Sequence, residues 1–148
     1  MSAKSELAKK RFTEGFHCSQ AVLEAFAEDY DLDPIVCRKL AAPFAGGSGL
    51  GGECGAVTGA FMVLGLKHGM TDPEQHDAFM TTLTKVGTFS DKFKALHGKI
   101  NCIELIDLDV FNEKDLNEFR EKNIKLTQCI NYVEDAVKIA EEILNEQE

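Results

Sequence analysis

Residues 51–66 read GGECGAVTGAFMVLGL, a glycine-rich turn that runs directly into an apolar segment. From Cys54 onward the segment is apolar on nearly every side, which predicts a buried helix rather than an amphipathic surface helix. Gly55 and Gly59 are four positions apart, a spacing that would let a neighbouring helix approach closely. The stretch therefore predicts a central buried helix entered through a glycine-rich loop at residues 45–53.

The rest of the chain reads as helices joined by short loops. Asp33-Pro34 and Asp72-Pro73 each supply an N-cap residue followed by proline at the first helical position. Further helices are predicted near residues 5–13, 18–29, 34–43, 72–98, 113–122 and 127–145, with a short helical turn after Cys102. No alternating pattern lasts long enough to build a sheet. The prediction is an all-α single domain over residues 1–148, a helical bundle of about six to seven helices.

The predicted helix at 72–98 carries its apolar residues on one stripe. Phe79, Met80 and Leu83 open the stripe, and Phe89 and Phe93 continue it to a stop at Gly98. Such spacing is typical of a helix that packs one face on a core.

Composition narrows the classes of partner. The chain has 148 residues, 44% apolar and 28% charged, as in a soluble globular protein. Its 16 basic and 25 acidic residues give a net charge of −9, which disfavours a nucleic-acid or anionic-membrane surface. The start of the chain lacks the apolar core of a signal peptide, and the apolar stretch 60–66 is too short to cross a bilayer. We expect a cytoplasmic protein with reduced thiols.

Five cysteines stand out in such a chain, and an odd number cannot all pair within it. Cys18, Cys54 and Cys102 lie near predicted helix starts, where free N–H groups and the helix dipole favour a thiolate. Cys129 lies on the last predicted helix, and Cys37 lies among apolar neighbours and is interpreted as a core residue. None belongs to a C-x-x-C pair, so the spacing alone selects neither a disulfide pairing nor a zinc site.

His17 and the glycine loop offer further candidates. His17 could assist the Cys18 thiolate or ligate a metal, but an N-cap role is favoured. Residues 47–52 satisfy G-x-G-x-x-G, yet no strand precedes them, which disfavours a dinucleotide site. A weaker hypothesis remains, in which the backbone N–H groups of Gly51, Gly52 and Gly55 hold a phosphate or another anion at the helix start.

Three stretches together resemble a known family. GFHCSQAVLEAF (15–26), GGECGAVTGAFMVLGL (51–66), the isolated Cys102 and CINYVEDAVKIAEEIL (129–144) are similar to the C_GCAxxG_C_C family of small, mostly prokaryotic proteins to which redox activity is ascribed. The likeness runs from about residue 5 to 145. It implies that the family cysteines are Cys18, Cys54, Cys102 and Cys129, with Cys37 outside the set. The chain departs from the family name by reading ECGAVTG instead of GCAxxG.

The resemblance implies redox-active or metal-binding thiols. The first hypothesis is a thiol-dependent oxidoreductase that uses all four family cysteines with a redox partner protein, Cys54 being the thiol of low pKa and Cys18 its resolving partner. The alternative is a binding module whose four thiolates hold an iron–sulfur cluster or another metal. A third reading is a structural or partner-binding helical protein whose cysteines merely pack. A homodimer through the small-residue face of the central helix is also predicted.

Overall fold

The computed structural model describes residues 2–146, and in that range the chain forms eight α-helices. They are α1 (Ala3–Glu14), α2 (Cys18–Ala25), α3 (Pro34–Ala41), α4 (Gly55–His68), α5 (His76–His97), α6 (Cys102–Ile106), α7 (Glu113–Glu121) and α8 (Ile130–Leu144). The described residues form no strand, only one isolated antiparallel bridge between Glu53 and Asn101. The all-α prediction is confirmed, with one helix more than expected because the turn after Cys102 is a separate α-helix. The single domain stays a prediction.

Helix α4 lies at the centre of the core, as the sequence predicts. It packs on α2, α5 and α8, while α1 closes the opposite side against α2 and α8. Val57, Ala60, Val63 and Leu64 of α4 have no solvent exposure. A helix surrounded by neighbours on several sides has no polar face to keep, which explains its nearly continuous apolar sequence.

The crossing of α2 and α4 depends on glycine. A Cβ atom at Gly59 would lie 2.9 Å from the Ser19 carbonyl oxygen and 3.1 Å from Val22 Cβ. Both distances are shorter than ordinary van der Waals contact, so only glycine fits without displacing α2. The predicted close approach is therefore confirmed, and its partner is α2 of the same chain. Because α2 covers this face, a homodimer would need another surface.

Two helix boundaries differ from the prediction. Helix α2 ends at Ala25, and a short 3₁₀ turn at Glu28–Tyr30 follows it. The predicted helix start at Asp72 is wrong: the Asp72 carboxylate accepts a hydrogen bond from the Glu74 N–H at 2.9 Å, which closes a turn, and α5 begins only at His76. An aspartate before proline starts turns as readily as helices.

The apolar stripe of α5 is buried in only one half of the helix. Phe89 and Phe93 are fully buried and stack with ring centroids 6.1 Å apart. Phe79, Met80 and Leu83, in contrast, are 40%, 47% and 46% exposed. The first half of α5 therefore presents an apolar face to solvent, contrary to the sequence expectation. Helical spacing alone cannot say how far along a helix the core extends.

None of the helices in residues 2–146 combines the length and the apolar character needed to cross a lipid bilayer. The cytoplasmic location stays a prediction.

A buried carboxylate joins the first three helices. Glu24 of α2 has a side chain only 4% exposed, and its oxygens lie 2.6 Å from Arg38 Nη2 of α3 and 3.2 Å from Arg11 Nε of α1. A carboxylate buried to this degree needs such partners, since the desolvation of an unpaired charge is costly.

Replacing Glu24 tests this triad. Glu24→Gln should lower the free energy of unfolding by about 2 kcal/mol, because two guanidinium groups lose a charged acceptor. Urea denaturation measures the change. Glu118→Gln is the matched control: Glu118 pairs with Lys122 on the surface of α7, 3.4 Å away, and should cost less than about 0.5 kcal/mol. Equal effects of the two substitutions would contradict a stabilising role for the triad.

A second pair of substitutions tests the helix crossing. Gly59→Ala should destabilise the protein by about 1–3 kcal/mol, because the added methyl group collides with the α2 backbone. Gly65→Ala, in the same helix, has nothing within 4 Å of the added Cβ and should stabilise by up to about 1 kcal/mol through helix propensity. Thermal unfolding of both variants provides the comparison, and a destabilised Gly65→Ala with an unaffected Gly59→Ala would contradict the packing described.

Candidate functional site

The four cysteines singled out by the resemblance line one cavity of about 730 Å³. They are Cys18, Cys54, Cys102 and Cys129, and all four are free thiols. Cys37 is not among the lining residues and has no solvent exposure. Burial raises its pKa, as expected for a core thiol. The fold thus gathers thiols from four distant segments and leaves the fifth in the core.

Three of these thiols occupy helix starts, as predicted. Cys18 is the first residue of α2, Cys54 is the N-cap residue of α4, and Cys102 is the first residue of α6. Cys129 ends a π-helical turn, Lys125–Cys129, that leads directly into α8. A π turn is one residue wider than an α-helical turn and often marks a functional site.

A short backbone ribbon fixes Cys54 relative to Cys102. The Cys54 N–H donates to the Ile100 carbonyl at 2.9 Å, and the Cys102 N–H donates to the Gly52 carbonyl at 2.6 Å. In an antiparallel pair with this pattern, Cys54 and Cys102 are diagonal neighbours on one face, typically about 7–8 Å apart. This long-range pairing could not be predicted from the sequence, because a single bridge leaves no strand pattern.

The glycine loop folds back on the start of α2. Backbone φ angles are positive at Gly46, Gly47, Ser48, Gly49 and Gly51, a left-handed run that glycine adopts at little cost. The Gly52 N–H closes the loop by donating to the Gly47 carbonyl at 3.0 Å. Just before the loop, Ser19 Oγ donates to the Ala41 carbonyl at 2.7 Å and ties α3 to α2.

This geometry changes the interpretation of the loop N–H groups. The Gly52 N–H, predicted as a donor to an anion, is already bound to Gly47. A Cβ at Gly55 would overlap the Cys18 sulfur, and a Cβ at Gly51 would overlap the Ile103 side chain. The Cys18 sulfur thus lies against the start of α4, and the Gly46 N–H interacts with that sulfur. An anion site at the N–H groups of Gly51 and Gly55 stays a prediction.

Cys18 has the lowest pKa of the four thiols. A hydrogen bond from the Cys54 thiol and the backbone N–H groups of Gly46 and Ser19 lower the pKa of Cys18 from 9.0 to about 7, against the opposing effect of burial. The pKa of Cys54 is raised well above its usual value, because Cys54 donates to Cys18 and is itself buried. The prediction that Cys54 is the thiol of low pKa is therefore wrong, and the two roles are exchanged.

The other two thiols are protonated at neutral pH. Burial, with the nearby charge of Cys18 as the second cause, raises the pKa of Cys102 to about 11 and that of Cys129 to about 12. At pH 7 the cavity therefore holds one partly ionised thiol among three neutral ones.

Two polar side chains beside the thiols were missed by the sequence reasoning. Lys125 lines the cavity, with Nζ 3.3 Å from the Phe16 carbonyl and 4.7 Å from the centre of the Phe12 ring. Tyr132 also lines it, and its hydroxyl donates to the Leu105 carbonyl at 3.1 Å. Tyr132 lies three residues after Cys129, so helical spacing could have placed it on the same face.

His17 lies at the same cavity, directly before Cys18. Its backbone N–H donates to Gln20 Oε1 at 2.9 Å at the start of α2, as expected for an N-cap position. Burial and the charge of Lys125 lower the pKa of His17, so the imidazole is neutral at pH 7. A neutral imidazole does not supply a cation that would stabilise a thiolate.

The arrangement of the four thiols does not favour the metal-binding alternative. Four thiols are the donor type of an iron–sulfur cluster. Within residues 2–146, however, no three or more His, Cys, Asp or Glu side chains converge closely enough to hold a metal ion. The four cysteines share a cavity wall without forming a coordination shell.

Comparison with known proteins identifies a family. A family model described as "Putative redox-active protein (C_GCAxxG_C_C)" matches residues 16–143. The matched range contains all four thiols of the cavity. No curated protein and no solved structure matches the chain.

The pH dependence of alkylation tests whether Cys18, and not Cys54, is the thiol of low pKa. The fastest iodoacetamide reaction should have a pH midpoint near 7 and be absent in Cys18→Ser. In Cys54→Ala it should persist with a higher midpoint, because the thiolate loses a hydrogen-bond donor. Mass spectrometry of the alkylated peptides identifies the residue.

Cys37→Ala is the control and should leave this profile unchanged, since Cys37 lies outside the cavity. A fast phase that disappears in Cys54→Ala but survives in Cys18→Ser would contradict the assignment.

Proposed function

Because the chain belongs to the C_GCAxxG_C_C family, we propose that it is a thiol-dependent oxidoreductase whose Cys18 and Cys54 interconvert between dithiol and disulfide. The observation that carries the proposal is the position of the Cys18 sulfur, which lies against the backbone of Gly55, the residue directly after Cys54, in the cavity that both thiols line. The lowered pKa of Cys18 and the raised pKa of Cys54 agree with this proximity. A dithiol couple needs one sulfur that is ionised and a second close enough to attack it. Cys18 is the nucleophile, and Cys54 is the resolving thiol.

The exchange proceeds in two balanced steps with a disulfide of a redox partner. The Cys18 thiolate attacks one partner sulfur, breaks the partner disulfide and releases a partner thiolate. That thiolate takes the proton of Cys54. The Cys54 sulfur then attacks Cys18 Sγ, forms the internal disulfide and releases the second partner sulfur as a thiolate. Two electrons pass to the partner, and the reverse sequence reduces the protein again.

Cys102 and Cys129 support this couple as neutral thiols. They lie in the same cavity, and their raised pKa values keep them protonated at pH 7. Protonated thiols are poor nucleophiles, so they do not compete with Cys18 for the partner disulfide.

The partner is proposed to be a redox protein that docks around the glycine loop. Leu50, at 84% exposure, Phe111, at 59%, and Ile103, at 38%, project beside the cavity. Phe111 contacts Gly46 and Ile103 contacts Gly51, so these apolar side chains form a rim on the loop that carries the Cys18 donor. Exposed apolar residues of this kind are common in protein interfaces. The predicted cytoplasmic location would supply such a partner and keep the resting pair reduced.

Oxidation followed by peptide mapping tests the proposed function. The reduced protein is treated with a small thiol oxidant (diamide), its remaining thiols are alkylated, and the disulfides are identified by mass spectrometry. Two of the five thiols should disappear, and the product should be an intramolecular Cys18–Cys54 disulfide.

Two variants test whether the disulfide depends on Cys18. Cys37→Ala should oxidise as the wild type does, whereas Cys18→Ser should form no disulfide with Cys54. Mapping of the disulfide to another pair, or only between chains, would contradict the proposal. Anaerobic purification tests the cluster alternative directly: visible absorbance with stoichiometric iron would favour the iron–sulfur reading over the dithiol.

A further inference from the structure

The cavity beside the thiols is large enough for an organic molecule. Its volume of about 730 Å³ falls within the range of roughly 300–1,000 Å³ that is usual for small-molecule sites. Four aromatic rings line it: Phe12, Phe111, Phe119 and Tyr132. The wall also includes the aliphatic side chains of Leu105, Ile106, Val110 and Leu116. Such a wall favours a planar apolar ligand, because rings stack on rings and apolar surface leaves water.

The cavity has too few charged groups and free N–H donors to favour a nucleotide cofactor. Lys125 is the one permanently charged side chain among the described lining residues, and it already contacts the Phe16 carbonyl and the Phe12 ring. A pyrophosphate needs several N–H donors or cationic groups. The Gly52 N–H is bound to Gly47. An uncharged electron acceptor therefore suits the cavity better than a nicotinamide or flavin nucleotide.

Access to the two reacting thiols also favours a small molecule. Cys54 is only 6% exposed, and Cys18 is half-buried beside it. A partner protein can reach the dithiol only through Cys18, whereas a ligand inside the cavity lies against both sulfurs. A two-electron transfer that leaves no charge behind is the least costly kind in such an apolar space.

We propose that this cavity binds a small, planar, uncharged acceptor of the quinone class and that the Cys18–Cys54 dithiol reduces it. The two S–H bonds break, an S–S bond forms between Cys18 and Cys54, and two electrons and two protons pass to the acceptor. Each quinone carbonyl oxygen gains one proton, which yields the hydroquinone. The partner dithiol then reduces the disulfide. The inference rests on the proposed redox function and names the acceptor of the same site.

Tetramethyl-1,4-benzoquinone is a suitable probe, because its four methyl groups block addition of thiols to the ring. The reduced protein should oxidise with a rate that saturates in quinone concentration, while hydroquinone and the Cys18–Cys54 disulfide form in equal amounts. Ala45→Phe places a ring at a lining position and should slow this oxidation about tenfold or more. Ala95→Phe, the same change at an exposed position of α5, should leave the rate unchanged.

Oxidation by diamide distinguishes failure of the quinone proposal from failure of the dithiol couple. Ala45→Phe should still form the Cys18–Cys54 disulfide with diamide, which also shows that the variant is folded. If diamide forms the disulfide in the wild type but the quinone does not, or if Ala45→Phe reacts with the quinone as fast as the wild type, the quinone assignment is overturned while the dithiol couple stands. If diamide forms no Cys18–Cys54 disulfide in the wild type, the proposed function fails as well.

Discussion

The contact between the Cys18 sulfur and the backbone of Gly55 is the constraint on which the site depends. No side chain fits at Gly55, because a Cβ there would overlap that sulfur and lie 3.0 Å from the Phe44 carbonyl. The start of α2 can therefore lie directly against the start of α4, where Cys54 is the N-cap residue. The same crossing forms the centre of the core, so the packing of α2 on α4 also brings the two thiols together.

The glycine loop completes the environment of that sulfur. Its left-handed residues return the chain to α2, and the Gly46 N–H joins the Cys54 thiol in lowering the pKa of Cys18. Hydrogen bonds to the ionised form favour it over the protonated form, whereas burial favours the protonated form. The pKa of Cys54 is raised by its hydrogen bond to Cys18 and then by burial, whereas burial is the first cause of the raised pKa values of Cys102 and Cys129. One cavity thus holds thiols of two kinds, which a dithiol redox couple requires.

Much of the fold and the membership of the site follow from the sequence, since both are written in local patterns. The apolar run after Cys54 indicates the central helix, and the resemblance selects the four cysteines that share the cavity. The order of the pKa values could not be read in this way. A helix start favours a thiolate equally at Cys18 and at Cys54. Which of the two has the lower pKa depends on the Gly46 N–H and on the hydrogen bond between the two thiols. The exposed half of α5 escaped prediction for a similar reason, because its burial depends on the extent of the neighbouring helices.

An equilibrium redox titration shows which two cysteines form the redox couple. The reduced fraction of the protein is measured by thiol alkylation and mass spectrometry across a series of glutathione buffers. We expect a single two-electron transition that is lost in Cys18→Ser and in Cys54→Ser and is retained in Cys102→Ser and in Cys129→Ser. A transition that survives loss of Cys18 or Cys54, or that requires Cys102 or Cys129 instead, would contradict the assignment of the redox couple.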